Sequence, residues 1–219
     1  MKTKPKILLI GGGGHCKAVI DVIEVENKYR IAGIIDVPEK FGQKILNYEI
    51  IGNDEDIPNF AKQYKYFFIT IGYIKTSKLR IKLFETVKNA GGQLPVIISP
   101  NAYISKHSKI GEGTIIMHNV VINADTVIGE NCIINNKALI EHDCKIGNNS
   151  HISTAAVVNG TCKIENNCFL GSNSIIKNNI TIISDTVISA GAFVTKNITK
   201  SGVYVGSPAR KIKNMPKQH

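Results

Sequence analysis

Residues 134–164, written in groups of six, read INNKAL IEHDCK IGNNSH ISTAAV VNGTCK I. Each group opens on an aliphatic residue, and the same spacing runs without a slip from Ile98 to Val194. The residue four positions after most of these aliphatic residues is small, as at Ala138, Cys144 and Ala156. A short fixed period over this length predicts a solenoid, in which each coil stacks on the one before it.

The composition of the chain is that of an ordinary globular protein, with 20% charged and 43% hydrophobic residues among 219. No apolar run is long enough for a membrane span, and Ile7 to Ile10 is too short for a signal peptide. We therefore expect a cytoplasmic protein. The net charge of +10 permits a polyanionic partner, but the sequence has no nucleic-acid motif and only 6% aromatic residues. A nucleotide sugar or coenzyme A also needs cations, and a solvated basic surface is the alternative.

A run of four glycines, Gly11 to Gly14, follows the short apolar run Lys6 to Ile10. A helical pattern of apolar residues comes next, and a second apolar run then ends at Asp36. This order predicts a β-loop-α-β unit whose glycines lie at a helix N-terminus, where free N–H groups favour a phosphate. The third glycine of the dinucleotide fingerprint is replaced by Cys16, so NAD is not predicted, and a simple tight turn is the alternative.

Four of the five cysteines fall on the small inward position of the six-residue repeat: Cys132, Cys144, Cys162 and Cys168. Core packing explains cysteines at such positions. Their spacing matches no set of metal ligands, so we expect no metal.

A resemblance to a known family rests on Ile10 to His15, Asp36, Ile71-Gly72 and Arg80, all ahead of the hexapeptide array. These features resemble the bacterial nucleotide-aminosugar N-acetyltransferases, and the sialic-acid O-acetyltransferases share the architecture. The resemblance implies an α/β N-terminal half-Rossmann-like domain at 1–95, followed by a left-handed parallel β-helix of hexapeptide repeats at 96–198. A basic C-terminal tail would cover 199–219. In that fold three hexads form one coil, so residues 18 apart stack.

The N-terminal domain of that family holds the nucleotide of the sugar donor. The resemblance therefore implies that Gly13, Gly14 and His15 lie near the diphosphate, with Gly72 in the same site, and that Asp36 lies near the uridine. The family often has two consecutive acids at the last place, and here only Asp36 follows Ile35.

A candidate general base, His142, lies between Glu141 and Asp143 at a corner of the predicted coil. Its stacked neighbours, Ala124 and Gly160, are small and leave a groove beside the imidazole. Either acid could fix the tautomer of the ring and stabilise its charged form, and a solvated histidine is the alternative. The resemblance implies that His142 takes the proton from the sugar amine, and the Gly160 N–H could serve the developing oxyanion.

The resemblance also implies sites for acetyl-CoA and for the sugar. His151 would contact the acetyl end of the coenzyme, and Asn135 would orient the substrate; a buried, hydrogen-bonded histidine is the alternative for His151. Lys196 and Arg210 in the basic C-terminal stretch are candidates for the coenzyme phosphates, and a solvated tail is the alternative.

The outward residues of the coils sort into three faces. One is apolar (Tyr103, Val121, Leu139, Val157, Ile175, Phe193), one carries lysines (Lys109, Val127, Lys145, Lys163, Thr181), and one is apolar apart from a histidine (Ile115, Ile133, His151, Phe169, Val187). A monomer should not expose two apolar stripes, so we expect them to pair head to tail between subunits. Together with the resemblance, this predicts a homotrimer with active sites between subunits.

The resemblance implies an acetyl-CoA-dependent N-acetyltransferase acting on a nucleotide-linked amino-deoxy sugar, of the UDP-4-amino-4,6-dideoxy type. The alternative enzyme is a sialic-acid-type sugar O-acetyltransferase. A γ-class carbonic anhydrase would need three converging histidines, whereas His118, His142 and His151 occupy different columns of the repeat. A β-solenoid scaffold is the non-enzymatic alternative, and the glycine-rich loop argues against it. No nucleic-acid or membrane partner is expected.

Overall fold

The computed structural model of the chain describes residues 4–214, which form two compact units. The first unit contains the chain up to Gly72 together with Lys78–Pro100, and the second contains Tyr73–Ser77 together with the chain from Asn101 onward. The short segment Tyr73–Ser77 thus belongs to the second unit, although it lies within the first in sequence. The last five residues of the expected tail at 199–219 lie outside the described residues.

The first unit is an α/β structure. Its strands are β1 (Lys6–Ile10), β2 (Arg30–Ile35), β3 (Lys44–Ile45), β4 (Tyr48–Gly52), β5 (Tyr66–Ile69) and β6 (Ile97–Ile98), and its helices are α1 (Gly14–Glu26), α2 (Ile57–Ala61) and α3 (Lys78–Asn89). The sheet has the order β3-β4-β2-β1-β5, and only the β3–β4 pair is antiparallel. Parallel strands covered on both faces need continuous apolar runs, which explains why four consecutive residues of β1 are fully buried.

The second unit is a parallel β-helix built from two-residue strands. They are β7 (Tyr103–Ile104), β8 (Lys109–Ile110), β9 (Ile115–Ile116), β10 (Val121–Ile122), β11 (Val127–Ile128), β12 (Ile133–Ile134), β13 (Leu139–Ile140), β14 (Lys145–Ile146), β15 (His151–Ile152), β16 (Val157–Val158), β17 (Lys163–Ile164), β18 (Phe169–Leu170), β19 (Ile175–Ile176), β20 (Thr181–Ile182), β21 (Val187–Ile188) and β22 (Phe193–Val194), followed by β23 (Val203–Val205) and β24 (Arg210–Lys213).

These strands stack into three sheets, in the orders β7-β10-β13-β16-β19-β22, β8-β11-β14-β17-β20 and β9-β12-β15-β18-β21-β23-β24. Every pair among the short strands joins residues 18 apart, as in Leu139 with Val121 and with Val157. One coil therefore contains three hexads, as the resemblance implies. The second residue of most strands points inward and is buried, so the aliphatic column forms the core.

The corners of the coil have a backbone requirement of their own. Every sixth residue from Gly113 to Gly191 has a positive φ, between 55° and 67°. Asparagine, aspartate and glycine tolerate this left-handed conformation best, and they fill all these positions except Lys137, Ala155 and Thr161. Asp143, beside His142, is one of these corner residues, with φ 58°.

The three outward faces differ in exposure. Tyr103 and Ile175, on the first apolar face, are 61% and 42% exposed. The face that contains His151 differs from the expectation of a second free apolar stripe, because all five of its residues are buried within the single chain. The repeat gives the outward direction of a side chain but not what covers it. In residues 4–214, no helix combines the length and apolar character needed to cross a membrane.

Candidate functional site

A cavity of about 320 Å³ opens over the glycine loop of the first unit. Its lining includes all five residues predicted for the nucleotide: Gly13, Gly14, His15, Asp36 and Gly72. The β1–α1 turn, the end of β2 and the end of β5 supply them, because parallel strands β2, β1 and β5 end at the same edge of the sheet.

The glycines of this loop have different roles. A Cβ atom at Gly12 would lie 2.7 Å from the Asp36 carboxylate, so only glycine fits there. A Cβ atom at Gly13 or Gly14 would meet no atom within 4 Å, so these two residues border open space. Gly13 is the N-cap of α1, and the first turn of that helix contains no acid. Free N–H groups at an open helix N-terminus suit a phosphate.

Asp36 has more partners than the sequence indicates. Its Oδ2 accepts hydrogen bonds from the Gly12 N–H at 2.8 Å and from Lys40 Nζ at 2.9 Å, and its Oδ1 accepts one from the Val37 N–H at 2.7 Å. Burial alone would raise the pKa of Asp36, but these bonds outweigh it and the pKa is lowered. The carboxylate thus holds the glycine loop in place, and its contact with a base stays a prediction. Lys40, four residues on, was missed by the sequence reasoning.

The far wall of this cavity is fixed by two buried polar side chains. Arg80 is 1% exposed and donates hydrogen bonds to the carbonyl oxygens of Ile69 and Ile71, at 2.6 and 3.1 Å. Thr70 donates from its hydroxyl to the carbonyl oxygens of Ile10 and Gly11. The chain that carries Gly72 is therefore held beside the glycine loop, and the Gly72 backbone faces the His15 ring.

His142 lies at the corner after β13, with 58% of its side chain exposed. Its Nδ1 is 2.7 Å from Oδ2 of Asp143, and this hydrogen bond raises the pKa of the imidazole above its usual value. Glu141 turns away, since its Oε2 accepts a hydrogen bond from Asn123 Nδ2 at 2.7 Å. Of the two flanking acids, Asp143 is thus the one that orients the ring.

Gly160 lies against the His142 ring one coil further on. A Cβ atom at this position would be 2.8 Å from both Cε1 and Nε2 of the imidazole. The absent side chain thus leaves room for the ring. An imidazole held on Nδ1 by a carboxylate, with an exposed edge, can take a proton at Nε2.

His151 and Asn135 form a second cluster, built on β15 and the corner after β12. The Nδ1 of His151 is 3.0 Å from the Tyr73 carbonyl oxygen, and its Nε2 is 3.5 Å from Asn135 Nδ2. The ring is 8% exposed and makes edge-to-face contacts with Tyr73 and Phe169, with centroids 5.7 and 5.1 Å apart. Tyr73 was missed, because nothing in its local sequence points to a residue 78 positions away.

Lys196 and Arg210 line one small cavity of about 170 Å³ in the second unit, with Tyr204, Pro208 and Ala209. The structure thus brings together the two cations predicted for the coenzyme phosphates, although they are 14 positions apart in the sequence. Their binding role stays a prediction.

All five cysteines are buried thiols. A hydrogen bond with Cys162 and burial raise the pKa of the Cys144 thiol, which keeps it protonated. Among residues 4–214, no group of three or more histidine, cysteine or acidic side chains is arranged to hold a metal ion.

Two family profiles match the chain: the PglD N-terminal domain over residues 6–87 and the GMPPB C-terminal domain over residues 93–204. Among solved structures, PerB from Caulobacter crescentus, in complex with CoA and GDP-perosamine, is 31% identical, covers 96% of this chain and 97% of its own, and superposes with a TM-score of 0.87. That enzyme, a perosamine N-acetyltransferase, has also been solved with one histidine replaced by asparagine or alanine.

Two further structures are similar over the whole length. The acetyltransferase domain of PglB from Neisseria gonorrhoeae FA1090 is 25% identical, with a TM-score of 0.88 over 95% of this chain and 100% of that domain. WeeI from Acinetobacter baumannii AYE is also 25% identical, with a TM-score of 0.83 over 95% and 99%. A search among curated proteins gave no match. These likenesses confirm the predicted fold class, an α/β unit followed by a left-handed parallel β-helix.

Proposed function

Because the chain belongs to the hexapeptide-repeat family of sugar N-acetyltransferases, we propose that it transfers the acetyl group of acetyl-CoA to the amino group of a nucleotide-linked amino sugar. One observation carries the proposal: the exposed His142 ring, 2.7 Å from Asp143 and packed on Gly160. A poised base of this kind suits direct attack by an amine on a thioester.

The chemistry at His142 needs no covalent enzyme intermediate. The sugar amine attacks the thioester carbonyl, so a C–N bond forms while Nε2 of His142 takes a proton from the amine. Asp143 stabilises the resulting imidazolium, and Glu141 adds negative charge nearby without touching the ring. The Gly160 N–H donates to the oxyanion. Collapse breaks the C–S bond, and the proton passes from His142 to the departing thiolate.

The nucleotide part of the substrate would bind over the glycine loop. We assign the diphosphate to Gly13 and Gly14 at the N-terminus of α1, with His15 and Gly72 beside it, and the base to the side of Asp36. The open space at Gly13 and Gly14 supports this assignment. We propose three domains, at 1–95, 96–198 and 199–219, and assign the nucleotide to the first of them. We propose a UDP-4-amino-4,6-dideoxy sugar, and the GDP-perosamine bound by PerB makes the GDP-linked form the comparison to test.

The coenzyme would bind to the β-helix. Lys196 and Arg210 share one cavity and would pair with its phosphates, while His151 and Asn135 would line the acetyl end and the substrate. We further propose a homotrimer in which a neighbouring subunit completes the site at His142, since that ring is exposed and the adjoining stripe of Tyr103 and Ile175 is apolar. The five buried cysteine thiols suit a reducing compartment such as the cytoplasm.

The test of this function is an acetyl-transfer assay with the purified chain. Acetyl-CoA would be offered with UDP- and GDP-linked 4-amino-4,6-dideoxy sugars and with a free sialic acid, and thiol release and product mass would be followed. We expect acetylation of a nucleotide amino sugar, with the UDP form favoured. Acetylation of the sialic acid alone would support the O-acetyltransferase alternative, and thiol release with none of the acceptors would overturn the proposal.

A further inference from the structure

We infer that Tyr73 is a positioning residue that fixes His151 in the Nδ1–H tautomer, so that Nε2 of His151 accepts a hydrogen bond from the bound ligand. The tautomer is a property of the free protein. The statement about the ligand rests on the proposed function.

The tautomer follows from the two partners of the ring. A carbonyl oxygen can only accept, so the 3.0 Å contact with the Tyr73 carbonyl requires a proton on Nδ1 of His151. In the neutral ring Nε2 then carries a lone pair, and the group that faces it at 3.5 Å is the amide nitrogen of Asn135, a donor. Both partners therefore favour the same tautomer.

The surroundings favour the neutral ring. His151 is 8% exposed and lies edge-to-face between the rings of Tyr73 and Phe169. Burial disfavours the charged form of an imidazole, because it takes the ring out of water.

Tyr73 is itself anchored on the coil next to His151. Its hydroxyl donates to the carbonyl oxygen of Asn149, two residues before His151, and to that of Cys168 at 3.2 Å, one coil further on. The Tyr73 side chain thus anchors Tyr73–Ser77 on the coil, and the Tyr73 carbonyl oxygen accepts the hydrogen bond from the His151 ring. Five residues, Tyr73–Ser77, pack with the β-helix unit, which makes this contact part of that unit.

This geometry restricts what His151 can do in acetyl transfer. A neutral ring that donates from Nδ1 to Tyr73 cannot also donate from Nε2 to the thioester carbonyl oxygen. Nε2 can instead accept from an N–H group of the ligand, which would replace the long 3.5 Å contact with Asn135 Nδ2. Two ligands carry such a group: the pantetheine arm of the coenzyme and the sugar amine. The Gly160 N–H would then be the group that stabilises the oxyanion, and His151 would align an N–H group of the ligand.

The first test measures the tautomer in the free protein. Long-range ¹H–¹⁵N NMR of the full chain, labelled on its histidines, distinguishes protonated from unprotonated ring nitrogens, and His151→Gln identifies the signals by their loss. We expect a protonated Nδ1 and an unprotonated Nε2. A protonated Nε2, or a mixture of tautomers in the wild type, would overturn the inference whatever the enzyme's substrate proves to be.

The second test replaces Tyr73. Tyr73→Ala removes the anchor and the ring contact, and we expect a mixture of His151 tautomers and a roughly tenfold loss of kcat/KM. Tyr73→Phe keeps the ring and the carbonyl but loses the hydroxyl bonds, and we expect a smaller loss in the same direction. Tyr48→Phe is the matched control, since it removes a tyrosine hydroxyl bonded to Glu24 in the first unit. Unchanged tautomer and activity in both Tyr73 variants would contradict the positioning role.

The third test separates the two N–H sources. Addition of CoA alone or of the nucleotide amino sugar alone to labelled protein should shift the His151 Nε2 signal in one case, and that ligand supplies the donor. If neither shifts it while acetyl transfer proceeds, the acceptor role is wrong and the proposed function stands. If transfer itself fails, the proposed function is at fault, and the tautomer measured in the free protein is unaffected.

Discussion

At the residue scale, the identity of the acid that serves His142 depends on backbone geometry. The sequence offers Glu141 and Asp143 equally, one on each side. Asp143 occupies the left-handed corner with φ 58°, and its carboxylate reaches the ring. Glu141 follows strand β13, and its carboxylate accepts a hydrogen bond from Asn123, one coil earlier. The sequence predicts that both acids lie near His142, but only the corner geometry shows that Asp143 is the one that bonds to the ring.

Replacement of Asp143 by Asn should change the pH dependence of acetyl transfer. His142 acts as a base only when neutral, so kcat/KM rises with pH as the ring loses its proton. The hydrogen bond to Asp143 raises the pKa of His142, so its loss should lower that pKa. We expect the acid limb of the profile to move to lower pH and the plateau to fall. An acid limb that stays at the same pH would show that a group other than His142 controls it. Glu141→Gln is the control, because Glu141 makes no hydrogen bond to the ring.

Gly160→Ala should displace the His142 ring without unfolding the coil. The new methyl would lie 2.8 Å from two ring atoms, and an exposed imidazole can rotate away where a backbone cannot. We expect a loss of kcat of roughly 10²-fold, comparable to partial loss of a general base. Thermal melting checks the fold and steady-state kinetics the activity; a variant as active as the wild type would contradict the role of this packing.

At the element scale, the short strands of the coil could be predicted from the period, whereas the attachment of Tyr73–Ser77 could not. Strand positions follow from the aliphatic period, whereas the column of asparagine, aspartate and glycine at the corners was recognised from the positive φ of the backbone. Tyr73–Ser77 has no period, and its contacts lie about four coils away in sequence. The contact between Tyr73 and His151 therefore became visible only in the folded chain.

Ala155→Asn should stabilise the β-helix. Ala155 has φ 55°, a conformation that alanine adopts at a cost and asparagine adopts more easily. We expect a gain of about 0.5–1 kcal/mol in the free energy of unfolding, measured by denaturant titration. Ala190→Asn is the control, since this exposed residue is outside the positive-φ column and should change stability little. Equal effects of the two substitutions would contradict the assignment of strain to the corner.

At the scale of the whole molecule, the sorting of outward residues into three faces is accurate, whereas their exposure was only partly predicted. The lysine face and the face of Tyr103 and Ile175 reach solvent. The face of His151 is buried within one chain. It is therefore not available as the second exposed stripe in the predicted head-to-tail contact between subunits. The period of the sequence predicts whether a side chain points into or out of the coil, but only the tertiary structure shows what covers it.

Ile175→Glu should disrupt the proposed trimer. Ile175 is 42% exposed on the remaining apolar stripe, and a charge buried there in an interface would be costly. Val127 is 41% exposed on the lysine face, so Val127→Glu is a matched control that should leave assembly intact. Light scattering would measure the mass of each variant. Dissociation of both, or of neither, would contradict the stripe as the subunit interface.

The central claim is that His142 is the general base of acetyl transfer, and the kcat of His142→Ala at saturating acetyl-CoA and nucleotide amino sugar tests it most directly. The exposed ring supports little of the fold, so the variant should remain assembled with KM values close to the wild type. We expect kcat to fall by roughly 10²–10⁴-fold, the usual size of a general-base loss. A kcat within a few-fold of the wild type would contradict the account.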